Sequence, residues 1–398
     1  MIPEGWERQP LGAVCELVNG RGFKPHEWGD TGYPIIRIQN LNGGSDFNFY
    51  DGDFNPKILV RPGQLLFAWS GSRGTSFGPH IWNGPDAVLN YHTWKVLPTS
   101  ETDQRFLHQM LRHITGQIEA SAHGASALVH TQKGDMEKWP IAVPPLCEQQ
   151  KIADILSTWD AAIGTIEKLL ANAEALKRAL MQQLVAGKRR VNGFQGTEWQ
   201  VGQLSDVASI IVSNVDKKTV AGEKPVRLCN YTDVYTNNEI YPEMAFMAAT
   251  ATDAQIKKFA LKKDDVVITK DSETPADIAI PAYVGKSAPD LVCGYHLAII
   301  RPNKRSSGRF LKYYFEHPIT RHHFASRANG ATRFGLTVGS IEEAVIRYPA
   351  LEEQERIADY LSTVEDEIAH LQADDEHLRT EKRALMQQLL TGKRRVAV

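Results

Sequence analysis

Two stretches of this chain are near copies of each other, and that repetition limits what it can fold into. Residues 144–191 begin P-P-L-C-E-Q-Q-K-I-A-D-I-L-S-T and end A-L-M-Q-Q-L-V-A-G-K-R-R-V. Residues 349–396 begin P-A-L-E-E-Q-E-R-I-A-D-Y-L-S-T and end A-L-M-Q-Q-L-L-T-G-K-R-R-V. The two align without a gap, and roughly half of the aligned positions are identical. A fixed internal repeat of this kind implies a tandem architecture.

Each copy carries the pattern of one long helix. A heptad frame on Ile152 places Ile152, Trp159, Ile166, Ala173 and Leu180 at one seam position and Leu156, Ile163, Leu170, Lys177 and Leu184 at the other. In the second copy the seams read Ile357, Val364, Leu371, Leu378, Leu385 and Leu361, Ile368, Asp375, Lys382, Leu389. Apolar residues sustained at both positions predict a coiled coil. Prolines precede each start, and Gly187 and Gly392 stand where a C-terminal cap falls. Acidic residues crowd the early turns and Lys-Arg-Arg closes each copy, the order that suits a helix dipole. The expectation is that the two helices pair with each other, antiparallel; the alternative is that each packs on its neighbouring globular segment. Lys177, Asp375 and Lys382 on the seams either set the register or mark where the pair splays.

The remaining segments also echo each other. In residues 1–143 short β-rich runs at 34–38, 64–69, 93–97 and 139–143 alternate with turn clusters, and a helical pattern covers 103–120. Residues 192–348 repeat the plan with less identity. Trp6, Leu11 and Val14 correspond to Trp199, Leu204 and Val207. Ile36–Asn40 correspond to Val226–Asn230, Arg61–Phe67 to Lys262–Ile268, and Tyr91-His92 to Tyr295-His296. Phe106-Leu107 correspond to Phe310-Leu311, and Gly124-Ala125-Ser126 to Gly330-Ala331-Thr332. The expected fold class is mixed α/β (α+β), a pseudo-two-fold tandem. Its segments are a first globular domain (1–143), a central helix (144–191), a second globular domain (192–348) and a C-terminal helix (349–398). Near-identical helices imply one job done twice; shared scaffolds with different loops imply one kind of job on different targets. A bipartite duplex DNA site suits such an object.

Composition and motifs narrow the function. The 398 residues carry a formal net charge of −2, so a whole-chain basic signature is absent and any nucleic-acid contact must be local. The four cysteines are isolated, as buried reduced thiols of a cytoplasmic protein would be. No signal-peptide core and no membrane-length apolar run is present. Walker, H-E-x-x-H and G-x-S-x-G patterns are absent, and His322-His323 is a bare pair. Asp264, Asp265 and Lys270 make only a chance-level nuclease pattern. The reading is a binding module without its own catalysis or metal. A methyltransferase or nuclease subunit, and a helical scaffold that reads no DNA, are the alternatives.

The loops supply candidate DNA contacts. In the first domain these are Arg21, Lys24, Arg37, Gln39, Asn40, Trp69, Ser70, Arg73, His80, Tyr91, His92 and His123. In the second they are Lys217, Lys218, Arg227, Asn230, Lys270, Tyr295, His296, Arg327, Asn329 and Arg333. Arg, Asn and Gln can read base edges with two hydrogen bonds, while Lys and Ser hold phosphates. Arg37, Gln39 and Arg227 have a structural alternative within the sheet. The G-K-R-R-V ends are explained equally by the helix dipole, by solubility and by phosphate contact. Acidic residues dominate much of the second helix (Glu365, Asp366, Glu367, Asp374, Asp375, Glu376), which repels DNA and suits protein or solvent.

With tandem globular domains, P-x-L-x-E-Q-x-x-I-A-D-x-L-S-T helices and G-K-R-R-V closures, the whole chain resembles the specificity subunit of a type I restriction-modification enzyme. Pro62–Ser72 is similar to the target-recognition domains of that family, as are the Gly124 and Gly330 loops. The second domain departs at Lys263-Asp264-Asp265, where the first has Pro62-Gly63-Gln64, and Ala350 replaces a proline. The resemblance implies that each globular domain recognises one half of a split double-stranded DNA target. It implies that the paired helices set the spacer and dock two methyltransferase subunits, with Glu148, Gln149, Ile152, Glu353, Gln354 and Ile357 on the partner-binding helices. S-adenosylmethionine would belong to those subunits, and ATP with Mg²⁺ to restriction subunits; no cofactor is implied for this chain.

Overall fold

The computed structural model describes residues 2–121 and 128–397. The chain forms two compact units, Met1–Lys168 with Ala373–Val398, and Leu169–Gln372. The central helix (Leu146–Leu180, continued by a π-helical turn at Met181–Val185) and the C-terminal helix (Leu351–Leu389) each give one half to either unit.

The first unit is built on two four-stranded sheets. One is antiparallel, in the order Cys15–Asn19, Thr93–Pro98, Leu65–Ala68, Gly78–Ile81. The other runs Phe49–Tyr50, Tyr33–Ile36, Ala87–Leu89, Leu59–Val60, with its middle pair parallel. Alternation along one strand serves two cores. Leu65 and Phe67 face a core with the helix Gln104–Ser121, and Leu66 faces the core shared with the second sheet. The second unit follows the same plan with five and three strands. Its Val266 and Ile268 face a core with the helix Gly308–Glu316, and Val267 faces the other core. Helix ends complete both helical cores. Ile152, Leu156, Met386 and Leu389 join Phe106 and Leu111 in the first unit; Ile357, Leu361, Met181 and Leu184 join Phe310 and Leu311 in the second.

The heptad reading holds at the side-chain level, since no seam position is exposed in either helix. Within each unit the two helix halves run antiparallel. In the first unit the seam lysine Lys382 meets Asp160 at 2.5 Å, and Glu148 meets Arg395 at 2.6 Å. In the second, Lys177 meets Glu365 at 2.5 Å and Arg190 meets Glu353 at 2.5 Å. Asp375 pairs instead with Arg379 on its own helix. Gly187 and Gly392 take φ of 67° and 72°, and the N–H groups of Arg189 and Arg394 reach back to Gln183 and Gln388. This is the glycine-terminated cap the sequence predicts.

Two details differ from the sequence correspondence. Ile36 pairs with Leu89, and Cys229 pairs with Cys293, so Ile36 is equivalent to Cys229 and Arg37 to Asn230. The alignment of Ile36 with Val226 is therefore three residues out of register. At the Lys263-Asp264-Asp265 departure, by contrast, the turn is kept: Asp264 adopts φ 77° where the first unit has Gly63 at 82°. Asp tolerates this left-handed region better than most side chains.

The carboxylates between the helices make stability pH-dependent. Burial raises the Glu365 carboxyl, but Lys312 and Lys177 outweigh it and hold the group below its ordinary range. Asp160 is lowered in the same way, with Lys382 and Arg112 overcoming burial. A depressed folded-state pKa gives stability that is complete above the unfolded value of about 4 and is lost as pH falls from there through the lower folded value. Denaturant midpoints should therefore drop as pH falls below about 5, and the slope should flatten in Glu365→Gln.

Candidate nucleic-acid interface

In each unit, five separate stretches of backbone are drawn together by four hydrogen bonds where strands give way to loops. In the first unit the N–H groups of Trp69, Asn90, Arg21 and Thr131 donate to the carbonyls of His92, Ile36, Leu89 and Trp69. In the second, Lys270, Gly294, Tyr295 and Leu336 donate to His296, Cys229, Val215 and Lys270. One scaffold thus presents equivalent positions twice. The candidate loops are brought together, with a shared Tyr-His pair and different side chains around it.

The first cluster is aromatic. The Trp69 indole N–H donates to the Tyr91 carbonyl at 2.9 Å, and its ring lies 5.2 Å from His92 and 6.2 Å, stacked, from Trp94. Tyr91 is 48% exposed and sits 3.8 Å from the His92 ring. Burial moves the His92 imidazole below its ordinary pKa, which favours the neutral ring. Ser70 opens the strand Ser70–Ser72 beside them. Lys24, Gln39 and Arg73 are exposed. Arg21 is ion-paired with Glu27, and its guanidinium lies 4.9 Å from the rings of both Phe23 and Tyr50. Arg37 lies over Trp28 at 5.3 Å. His80 is turned to the Ser76 carbonyl at 3.0 Å, and His123 lies outside the described residues.

The second cluster is polar and surrounds a cavity of about 460 Å³. Lys217, His296 and Arg333 line it together with Tyr231, Tyr235, Asp271, Ser272, Glu273, Thr274 and Asp277. The rings of Tyr231 and Tyr235 stack at 5.5 Å, and the Tyr231 hydroxyl is 3.1 Å from Ser272. His296 Nδ1 is 3.1 Å from one Asp271 oxygen, and Lys270 pairs with the other. Tyr295, 36% exposed, lies 3.6 Å from the His296 ring. Lys218 pairs with Asp216, Arg327 bonds to His323, and Asn329 bridges to Gly335. Sequence reasoning did not pick out Tyr231, Tyr235 and Asp271. The i, i+4 spacing of the tyrosines just after a strand end was the available signal.

Several candidates hold the fold instead. Asn40 is buried, accepts from the Arg37 N–H at 3.0 Å and donates to the Gly44 and Asp46 carbonyls, so it closes a turn. Arg227 makes a two-pronged bond to Asp290 at 2.7 and 2.9 Å and also donates to the Pro242 carbonyl. Asn230 is buried at a helix start. The nuclease-like carboxylates are structural as well: Asp265 is buried against Arg301 at 2.8 Å, and Asp264 accepts from the Gly308 N–H.

The helix-start residues also turn inward. Glu148, Gln149, Ile152, Glu353, Gln354 and Ile357 are all buried. Gln149 accepts from the Asp103 N–H and donates to the Glu101 and Pro144 carbonyls. Gln354 does the same with Ser307, Arg305 and Pro349. Glu353 holds Arg190 and accepts from the Val191 N–H; Glu148 holds Arg395 and accepts from the Trp6 indole. On the helices expected to bind partners, these six side chains are used inside their own unit. Among the described residues no His/Cys/Asp/Glu group is disposed to hold a metal, and no helix is long and apolar enough to cross a membrane.

Comparison with known proteins follows the same division. A family model described as the type I restriction modification DNA specificity domain matches residues 3–175 and again 196–377. The MjaVIII type I restriction enzyme specificity subunit of Methanocaldococcus jannaschii is 24% identical, covering 99% of this chain and 94% of that one. The EcoBI specificity subunit of Escherichia coli is 21% identical over 89% of this chain and 78% of its own length. In fold, the S subunit of a type I restriction-modification system from M. genitalium superposes with a TM-score of 0.59 at 14% identity, over 98% of this chain and 96% of that one.

Proposed function

The chain belongs to the type I restriction-modification DNA specificity family, and from that premise we propose how its two units divide the work. It is the non-catalytic, DNA-recognising subunit of such a system. The target-recognition domains are residues 1–143 and 192–348, and each reads one half of a bipartite, asymmetric double-stranded target. The helices set the spacer and dock two methyltransferase subunits in the cytoplasm. Those subunits bring S-adenosylmethionine, and restriction subunits bring ATP with Mg²⁺.

One observation carries the reading. Equivalent backbone positions keep a Tyr-His pair in both units (Tyr91-His92 and Tyr295-His296) but differ around it, with the Trp69 ring beside His92 in one and Lys270 and a tyrosine-lined cavity beside His296 in the other. A constant frame with exchanged side chains is what two different base sequences require, since base edges are read by side chains while the scaffold fixes orientation.

The direct test is a genome-wide map of adenine methylation, with and without this gene, in cells holding the neighbouring methyltransferase. Loss of one split motif on deletion is the expected result; an unchanged map opposes the reading. A finer prediction follows for the second unit. Tyr235→Ala with Arg333→Ala should relax one half of the motif, at about 1–3 kcal/mol for each base no longer read. The other half should keep its sequence. Equal degeneration of both halves would contradict the assignment of one domain to one half.

A further inference from the structure

In the two loop clusters one dipeptide is kept while its neighbours are exchanged. Tyr91-His92 and Tyr295-His296 occupy equivalent positions, since the His92 and His296 carbonyls accept from the N–H groups of Trp69 and Lys270. Those donors differ, and so do the residues after them, Ser70 and Asp271. The histidines are held in different ways. The His92 ring lies 5.2 Å from the Trp69 ring, whereas His296 Nδ1 is 3.1 Å from an Asp271 oxygen. The tyrosine backbones have different anchors as well. The Tyr91 N–H donates to Asn90 Oδ1 at 2.8 Å, and the Tyr295 N–H to the Val215 carbonyl at 3.0 Å. Both routes arrive at one geometry. The Tyr91 ring lies 3.8 Å from His92 at a tilt of 39°, and the Tyr295 ring 3.6 Å from His296 at 41°. Both tyrosines are exposed, so packing inside the unit does not require a phenol at either position.

We propose that Tyr91 and Tyr295 are sequence-independent contacts of their units, each donating its hydroxyl to a phosphate oxygen of the DNA backbone, with His92 and His296 as positioning residues against the rings. The inference rests on the functional reading above and deepens it by naming what the shared part of each site touches. Two half-sites of different sequence differ in their base edges and share their sugar-phosphate chain. A side chain that reads bases must change with the target; one that holds phosphate need not. A phenol suits the second task, because its hydroxyl donates and a hydrogen bond to an ionised phosphate is stronger than one between neutral groups. Such a contact also fixes register. The exchanged neighbours, Trp69 in one unit and Lys270 with the tyrosine-lined cavity in the other, then meet their base edges in a constant orientation. Burial holds the His92 imidazole below its ordinary pKa, which suits a flat support rather than an added cation.

The test uses the full chain with its methyltransferase and duplexes carrying the split motif found by methylation mapping, either intact or with one half scrambled. Tyr91→Phe keeps the ring and removes the hydroxyl. Affinity should fall by about tenfold both on the intact duplex and on the one scrambled in the first unit's half, leaving their ratio unchanged. Tyr295→Phe should do the same for the other half, and the two together should cost about a hundredfold on the intact motif. Neither change removes a cation, so the slope of log affinity against log salt should stay constant, whereas loss of one phosphate-bound cation lowers it by about 0.9. His92→Ala should cost about as much as Tyr91→Phe and add little to it, and His92→Phe, which restores a flat ring, should recover most of the loss. Circular dichroism should be unchanged in the hydroxyl variants. Undiminished affinity in the double tyrosine variant would overturn the proposal. A loss confined to the intact duplex would also overturn it, since the tyrosines would then read bases. Full addition of the His92→Ala and Tyr91→Phe losses would overturn the positioning role of the histidine. An unaltered complex that binds intact and scrambled duplexes equally would instead overturn the functional reading beneath it.

Discussion

Glu353→Ala is expected to destabilise the second unit by about 3–5 kcal/mol, the cost of leaving a partner charge buried and unpaired. Glu353 is fully buried and satisfies both the Arg190 guanidinium and the Val191 N–H, while the Arg190 side chain is only 19% exposed. The equivalent Glu148→Ala should cost less, about 1–3 kcal/mol, because Arg395 is 48% exposed and can be rehydrated once released. Denaturant unfolding of the full chain with each substitution checks both the size and the order. Equal losses, or a larger loss at Glu148, would show that solvent access to the arginine does not set the cost.

Insertion of four residues within 160–176 should change the spacer of the DNA target without changing either half-site. About one turn of helix adds about 6 Å, close to the rise of two base pairs. The middle of the helix is where such a change is tolerated: it is the most diverged part of the repeat, and Leu169 and Leu176 there are about half exposed. Methylation mapping should show the same two half-sites separated by one or two more base pairs. Full activity at the original spacing would sink the ruler idea.

What the sequence could announce depended on whether the signal was local. Heptad seams, alternating strands and the caps at Gly187 and Gly392 repeat over short intervals, so residue type alone exposed them. Strand ends carry no comparable period, which is why the equivalence of Arg37 with Asn230 was missed by three residues although both runs were recognised as strands. The closure of Glu148 on Arg395 and of Glu353 on Arg190 joins residues 247 and 163 positions apart. Such contacts leave no local trace, and charged residues at a helix start read as surface. Tyr91-His92 and Tyr295-His296 stood out as a repeated dipeptide, whereas Tyr231 and Tyr235 have no counterpart to draw attention to them.

The first unit takes part of its core from residues 373–398, where Met386, Leu389 and Leu390 pack with Phe106 and Leu111. During synthesis on the ribosome, chains emerge at about 5–20 residues per second. The half made first therefore waits for the half made last, while the second unit's own globular segment emerges and folds between them. A frameshift or premature stop falling just after codon 373 would strike the first unit rather than its sequence neighbour. The lesion and most of the damaged unit would lie more than two hundred codons apart.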